Sequence, residues 1–331
     1  MNILYTLNDK FVPQVNAGIC SVCENNKDID EINFYLMSVG ITDENKKKLK
    51  EFVKKYKRNI SIIELGDLKK YFSFDFDTNG WNPIVLARLI LEQILPLNVE
   101  KILYLDGDTI VRGNLLDLWN MNMNGKTIGM SIEPTIDKNR IRILNLENHP
   151  YYNAGVLLVD LNRWRKIGAG KQILDYYSKF KGNLFANDQD AINGALKEEI
   201  ITISPKYNFY NIFNQYSYNF LKKQLYPIEY IPKQIYDDAI KNPVIIHYLG
   251  EERPWRKGNT HKYKNDYKKY LSMTDFKDTP DENGWTVYFI CWKIFNILTK
   301  PFPSLRLRII NSLIPKFMNY RSKKLKKEGE K

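Results

Sequence analysis

The sequence predicts an α/β chain built on a mixed, mostly parallel sheet flanked by helices. Two observations carry that prediction. Apolar runs of strand length alternate with segments of helical period through most of the chain. One such run, starting at Lys101, climbs directly to two aspartates, Asp106 and Asp108. In open sheets of this kind, ligands sit beyond the carboxyl ends of the strands.

The elements follow in order. Asn2–Leu7 reads as a first strand. Met1 enters it with no basic segment and no small-residue cleavage pattern, so no leader is expected. Ile32–Gly40 and Ile60–Gly66 read as the next two strands. Between them Thr42 is placed to cap a helix whose apolar face is Leu49, Phe52 and Val53. Asn82–Leu95 reads as a helix, with Asn82 at the N-cap and Pro83 in the first position. Further strands are expected from Lys101 to Asp108, at Thr127–Glu133, Ala154–Leu161, Ile200–Ser204 and Val244–Leu249. Asp188–Leu196 reads as a helical segment, and the plainer role open to Asp188 is the N-cap of Gln189–Leu196. A polar, turn-rich stretch, Ser272–Gly284, divides the chain into an expected catalytic unit, 1–275, and a tail, 276–331.

The 331 residues suffice for one large or two ordinary domains, and 44% hydrophobic with 27% charged residues is a globular balance. The net charge of +12 is uneven: from Trp285 onward eleven Lys/Arg face two acids, so that segment holds nine of those charges. The basic balance is therefore no nucleic-acid footprint on the main unit, and no nucleic-acid partner is expected. Three cysteines, Cys20, Cys23 and Cys291, argue against a disulfide framework and fit a reducing cytoplasm. Cys20 and Cys23 form a C-x-x-C with no second ligand pair, and read as neighbours on one helix face.

On an extended strand Asp106 and Asp108 project to the same side, with Gly107 leaving the opposite side open. Two carboxylates so close repel unless a cation lies between them, and hard oxygen ligands suit Mg²⁺ or Mn²⁺. Capping of a strand end is the plainer alternative. A third reading makes Asp106 the nucleophile of a haloacid-dehalogenase-type phosphohydrolase. That motif wants Thr or Val where Ile110 stands, and it belongs on an early strand.

Four segments occur in order: "KILYLDGDTIVRGNLLDLW", "YYNAGVLLVDLNRWR", "NDQDAINGAL" and "IIHYLGEERPW". With these the sequence resembles glycosyltransferase family 8, over roughly residues 1–270, and within it the bacterial lipopolysaccharide-type galactosyl- and glucosyltransferases. The resemblance implies a GT-A (Rossmann-like) fold, a UDP-galactose or UDP-glucose donor, and a glycan or lipid-linked acceptor in cell-surface polysaccharide synthesis. It also implies retention of anomeric configuration and a need for Mn²⁺, with Mg²⁺ as the other candidate. By position, Asp106, Asp108 and His247 would bind the metal, and Asp106 would also face the ribose. Gly250 and Arg253 would approach the diphosphate, and Arg88 the donor sugar or phosphate. Asn153, Ala154, Asp188 and Gln189 would lie at the donor sugar, with Gln189 near the anomeric carbon and Asp188 reading hydroxyls. Thr6, Asn8 and Phe11 would contact uracil and ribose; here Asn8 and Lys10 depart from the family's usual acidic and amide residues. Glu133 falls where an acidic residue can meet the acceptor. A non-catalytic UDP-sugar or glycan-binding module is the other alternative, and the intact D-x-D with His247 argues against it.

The tail begins with a dense aromatic run, Trp285–Leu298, too short to span a bilayer. Alternating basic and apolar residues follow, ending in a lysine cluster. This reads as an interfacial amphipathic segment drawn to anionic lipid, which implies a peripheral position on the cytoplasmic face of the membrane. The alternative is a helix packed on the main unit.

Overall fold

The computed structural model describes residues 1–78 and 81–329, with side chains followed to Tyr320 and at Lys323. Of the tail's lysine cluster, the side chains of Lys324, Lys326 and Lys327, and the whole of Lys331, therefore lie outside what is described.

Nine strands are described: β1 Asn2–Asn8, β2 Asn33–Val39, β3 Asn59–Glu64, β4 Lys101–Leu105, β5 Thr109–Val111, β6 Ile128–Ile132, β7 Tyr152–Asp160, β8 Ile200–Thr202 and β9 Ile245–His247. Seven form one sheet in the order β3-β2-β1-β4-β7-β6-β8, while β5 and β9 pair apart from it. Every pairing in the large sheet is parallel except those that β7 makes with β4 and β6. The sheet is thus mostly parallel, as the alternating pattern predicts, and mixed through β7. β4 is buried from Ile102 to Leu105 and β7 from Tyr152 to Val159. Strands covered on both faces read as continuous apolar runs rather than alternating ones, which is why these stand out in the sequence.

The longer helices used below are α1 Val12–Asn25, α2 Asp43–Lys55, α3 Asn187–Ala195, α4 Thr286–Thr299 and α5 Pro303–Gly329. Thr42 caps α2 as expected, its side chain accepting from Asn45 N at 3.3 Å. Cys20 and Cys23 are buried on α1, where burial pushes their thiols up to about 11 and about 12, so neither is a reactive thiolate.

Four local expectations need correction. The helix expected at Asn82–Leu95 is a 3₁₀ segment, Pro83–Leu89, followed by one α turn, Leu91–Ile94; Asn82 still caps it. The tighter winding has three residues per turn, so Asn82, Val85 and Arg88 fall on one face, the face that lines the site cavity. Asp106 and Asp108 are not on an extended strand. β4 stops at Leu105, and the D-x-D is a turn closed by Thr109 N–H donating to the Asp106 carbonyl at 3.1 Å. The side of Gly107 is not open: a Cβ there would meet Phe11 at 3.0 Å and Val15 at 3.1 Å. Asp188 lies inside α3 rather than capping it, because its carboxylate turns to Arg88. Asp190 reaches back instead and accepts from Ala186 N at 2.9 Å.

The tail is a helical pair, α4 and α5, held by Arg306. That guanidinium is buried, donates to Asn296 Oδ1 at 2.6 Å and Thr299 Oγ1 at 3.1 Å, and faces the rings of Trp292 and Phe295. One of the tail's basic residues thus joins the two helices instead of facing outward. The pair also packs on the main unit, where Arg256 lies 3.6 Å above the Trp285 ring. Among the described residues, no helix is long and apolar enough to cross a membrane.

Candidate active site

Strand register brings the metal-binding candidates together. β5 runs antiparallel to β9 with Thr109 opposite His247, so the histidine stands beside the D-x-D turn. The turn is fixed at both ends: Asp106 N donates to the Gly155 carbonyl at 2.8 Å, and the Asp108 carbonyl accepts from Tyr248 N at 2.9 Å. His247 Nε2 then lies 3.4 Å from Asp108 Oδ1 and 3.8 Å from Asp106 Oδ2. One ligand atom from each of the three lies within 4.8 Å of the others.

The imidazole is held from behind. His247 Nδ1 is 2.9 Å from Asn208 Oδ1, while Asn208 Nδ2 donates to Asn153 Oδ1 at 2.9 Å, which also accepts from Gly155 N. An Nδ1–H donated to Asn208 leaves the Nε2 lone pair facing the carboxylates, the tautomer a metal ligand needs. Gly155 makes room for the ring: a Cβ on it would sit 2.2 Å from His247 Cε1. Burial would raise the Asp108 carboxyl, but His247 and Arg253 outweigh it and hold it at about 2. Burial would lower the His247 imidazole, yet Asp108 and Asp106 outweigh it and raise it. Two carboxylate oxygen donors, one oriented imidazole and a backing amide fit a hard or borderline divalent cation.

Arg88 ties this cluster to α3. Its side chain is only 5% exposed, with Nη2 2.7 Å from Asp106 Oδ1 and Nε 3.1 Å from Asp188 Oδ2. Nη1 donates to the Ala154 carbonyl at 2.7 Å, and the guanidinium lies 4.3 Å over the Tyr104 ring. Tyr104 OH also donates to Asp106 Oδ1 at 2.7 Å. Burial, offset only in part by Arg88 and reinforced by Asp106, lifts the Asp188 carboxyl to about 6.

Gln189 is clamped at both ends of its amide. Oε1 accepts from Ala154 N at 2.9 Å; Nε2 donates to Glu133 Oε2 at 3.1 Å and to Tyr151 OH at 3.0 Å. Glu133 Oε2 also accepts from Asn153 Nδ2 at 3.1 Å. Beneath them Arg140 donates to Asp190 Oδ1 at 2.9 Å, and Tyr151 OH donates to the same oxygen at 2.7 Å.

On the other side of the D-x-D, Thr6 Oγ1 is 3.0 Å from Tyr104 OH. Asn8 Oδ1 and Arg253 Nε are buried and have no hydrogen-bond partner among the described residues. Phe11 packs edge-on to Trp255 at 5.7 Å, and the Arg253 guanidinium lies 5.6 Å over its ring. Arg253 also approaches Asp108 Oδ2 at 3.3 Å, and Gly250 has φ +77°, which favours glycine.

All of the residues nominated from sequence line one cavity of about 1040 Å³. Sequence reasoning missed several others. Tyr104 lies two residues before Asp106 and looked like strand core. Asn208 sits in "KYNFYN" with no pattern to mark it. Gly155 lies in the "YYNAGVLLVDLNRWR" segment, but its role depends on a ring almost a hundred residues away. The cavity is also lined by α4 and α5, through residues such as Trp292, Phe295, Leu313 and Phe317. Charge and hydropathy marked the tail as a surface segment, not as a wall of the site.

The family model for glycosyl transferase family 8 matches residues 2–259. General stress protein A of Bacillus subtilis (strain 168) is 24% identical over 281 residues, covering 83% of this chain and 94% of that protein. A lipopolysaccharide 1,2-glucosyltransferase of Escherichia coli (strain K12) is 25% identical over 284 residues, covering 84% and 79%. Among solved structures, the galactosyltransferase LgtC in complex with donor and acceptor sugar analogs superposes with TM-score 0.71 at 23% identity, covering 86% of this chain and 99% of that one. That likeness is one of fold, and the fold is GT-A.

Proposed function

The chain belongs to glycosyltransferase family 8, and on that premise we propose that it moves galactose or glucose from a UDP-sugar to a glycan or lipid-linked acceptor, with retention of configuration. The observation that carries the reading is the convergence of Asp106, Asp108 and His247 in the cavity that Asp188 and Gln189 also line.

In this reading Asp106, Asp108 and His247 would hold Mn²⁺ or Mg²⁺. When bound, such an ion neutralises the charge that collects on a diphosphate leaving group. Arg253 and Gly250 meet the diphosphate, and Thr6, Asn8 and Phe11 receive the nucleoside. Arg88 holds Asp106 and Asp188 in place from behind. Asp188 accepts hydrogen bonds from hexose hydroxyls. Gln189 acts as an orienting group: its carbonyl oxygen accepts from Ala154 N–H, its NH₂ donates to Glu133 and Tyr151, and an amide is in any case a poor nucleophile. The anomeric carbon–phosphate oxygen bond breaks as the acceptor oxygen attacks on the same face. The acceptor's proton passes to a phosphate oxygen of the leaving group. Trapping of a glycosyl–enzyme adduct, seen by mass spectrometry, would refute that scheme.

The tail suits a peripheral position on the cytoplasmic membrane face, because Val287, Ile290, Ile294, Ile297 and Leu298 form an exposed apolar stripe on α4. The test of the main reading is a donor screen with Mn²⁺, scored by UDP release with and without acceptor and repeated in EDTA. Release from a UDP-hexose that EDTA abolishes is the expected result. Failure of every UDP-hexose to turn over, or turnover indifferent to EDTA, would refute it.

A further inference from the structure

The cavity, at about 1040 Å³, lies at the upper end of the range for small-ligand pockets, about 1,000 Å³, and has two kinds of wall. One is the polar constellation described above. The other is made by the tail, through Trp292 and Phe295 of α4 and Ile310, Leu313, Ile314 and Phe317 of α5. Their spacing follows the helical repeat, so each helix turns one apolar stripe to the cavity.

These stripes are distinct from the surface expected to face a membrane. On α4 the exposed stripe runs through Val287, Ile290 and Ile294, whereas the cavity stripe runs through Tyr288, Cys291, Trp292 and Phe295. At 100° per residue the two are centred roughly a third of a turn apart. α4 thus carries one apolar face outward and another inward. On α5 the cavity-lining side chains are themselves partly open to the surroundings, Leu313 by 52% and Phe317 by 40%, so the apolar end of the cavity is not sealed. Lys316, exposed and also lining the cavity, adds a cation beside this apolar wall.

We propose that this tail-walled end of the cavity binds the hydrocarbon chain of the acceptor. The acceptor class is then a saccharide joined to a long aliphatic chain through an anionic group. Its chain lies between α4 and α5, its anion near Lys316, and its sugar reaches toward Gln189 and Asp188. The proposal rests on the sugar-transfer reading above. It gives the tail a second role, as part of the acceptor site itself. Continuity of the apolar wall with the catalytic cavity favours an acceptor chain over a lipid that merely touches the outer stripe.

The test uses the full chain with Mn²⁺ and UDP. The probe is a dodecyl glucoside carrying a diazirine at the end of its chain, photolysed below its micelle concentration, with adducts mapped by mass spectrometry. Labelling is expected on the cavity stripes, at Trp292, Phe295, Leu313 or Phe317. It should fall at least fivefold in the double variant Leu313→Glu/Phe317→Glu, whose half-exposed positions make misfolding an unsuitable explanation once the melting curve is matched to that of the parent. Labelling confined to Val287, Ile290 and Ile294, or unchanged in the double variant, would overturn the proposal. UDP release from UDP-hexose is measured on the same protein. Turnover without cavity labelling sinks this inference alone, whereas labelling without turnover sinks the sugar-transfer reading and with it the acceptor assignment.

Discussion

Replacing Gly155 by alanine tests how the site is assembled. Gly155 is in β7, and its N–H and C=O are both used, by Asn153 Oδ1 and by Asp106 N. A Cβ here would lie 2.2 Å from His247 Cε1 and 2.5 Å from Nδ1, where ordinary contact begins at 3.4 Å. The imidazole must therefore retreat by roughly 1 Å, or β7 must move and carry the Asp106 amide with it. Either movement breaks the Asn208 hydrogen bond or spreads the three candidate ligand atoms. Disturbing the groups that orient a metal ligand typically weakens binding about 10–100-fold, and overpacking costs about 1–3 kcal/mol of stability. The assay is a Mn²⁺ titration of the purified protein by calorimetry, with thermal melts of the same samples. Gly113→Ala is the control, since a Cβ there would meet Val244 at an ordinary 3.5 Å. The expected result is a metal affinity lower by one to two orders of magnitude in Gly155→Ala, with Gly113→Ala like the parent. Parental Mn²⁺ affinity in a folded Gly155→Ala protein would refute the argument that His247, seated against Gly155, is a ligand.

Four further predictions follow from the same geometry. Asn208→Ala leaves His247 Nδ1 without its partner and should weaken Mn²⁺ binding about 10-fold or more, whereas Asn208→Asp, which keeps an acceptor, should lose less; equal losses in the same titration would argue against a role through Nδ1. Arg88→Met strands the buried Asp188 carboxylate and the partly exposed Asp106 beside it and should cost about 3–5 kcal/mol in urea unfolding; a loss below 1 kcal/mol would show that neither carboxylate depends on it. Asp188 has its carboxyl raised in the folded state to about 6, so its stabilising contribution is complete below the ordinary 3.8 and is lost as pH rises through 6. Metal-free Asp188→Asn should therefore gain up to about 3 kcal/mol relative to the parent between pH 4 and pH 7, and a pH-independent difference in melting would contradict this. Ile290→Glu/Ile294→Glu, on the outer stripe of α4, should reduce co-sedimentation with anionic vesicles severalfold; unchanged sedimentation would remove that stripe from membrane contact.

Much of this protein is legible in its sequence. Apolar runs and helical periods are local properties, and they placed the strands, the Thr42 cap and a mixed, mostly parallel sheet. Side-chain chemistry also works locally: two carboxylates one residue apart pointed to a cation, and ordered motifs pointed to His247 and to the segments around Asn153 and Asp188. Even so, local reasoning misjudged how the carboxylates converge. It put Asp106 and Asp108 on a strand, but they lie in a turn whose ends are tied to Gly155 and Tyr248. It left Asp188 open as a helix cap, but an ion pair with Arg88 competes for that carboxylate and wins.

What only the tertiary structure decided are the relations between distant parts of the chain. The β5–β9 register sets His247 beside the D-x-D, Asn208 fixes its tautomer, and Gly155 leaves it room. None of these can be read from spacing, because each is a contact between residues far apart in sequence whose types are unremarkable alone. The tail is the clearest case. Its charge and hydropathy determine that it is amphipathic, but amphipathy says only that an apolar face must be covered. Which face is covered, and by what, depends on the neighbouring surface, and here one apolar face of α4 looks outward while another closes the wall of the site cavity.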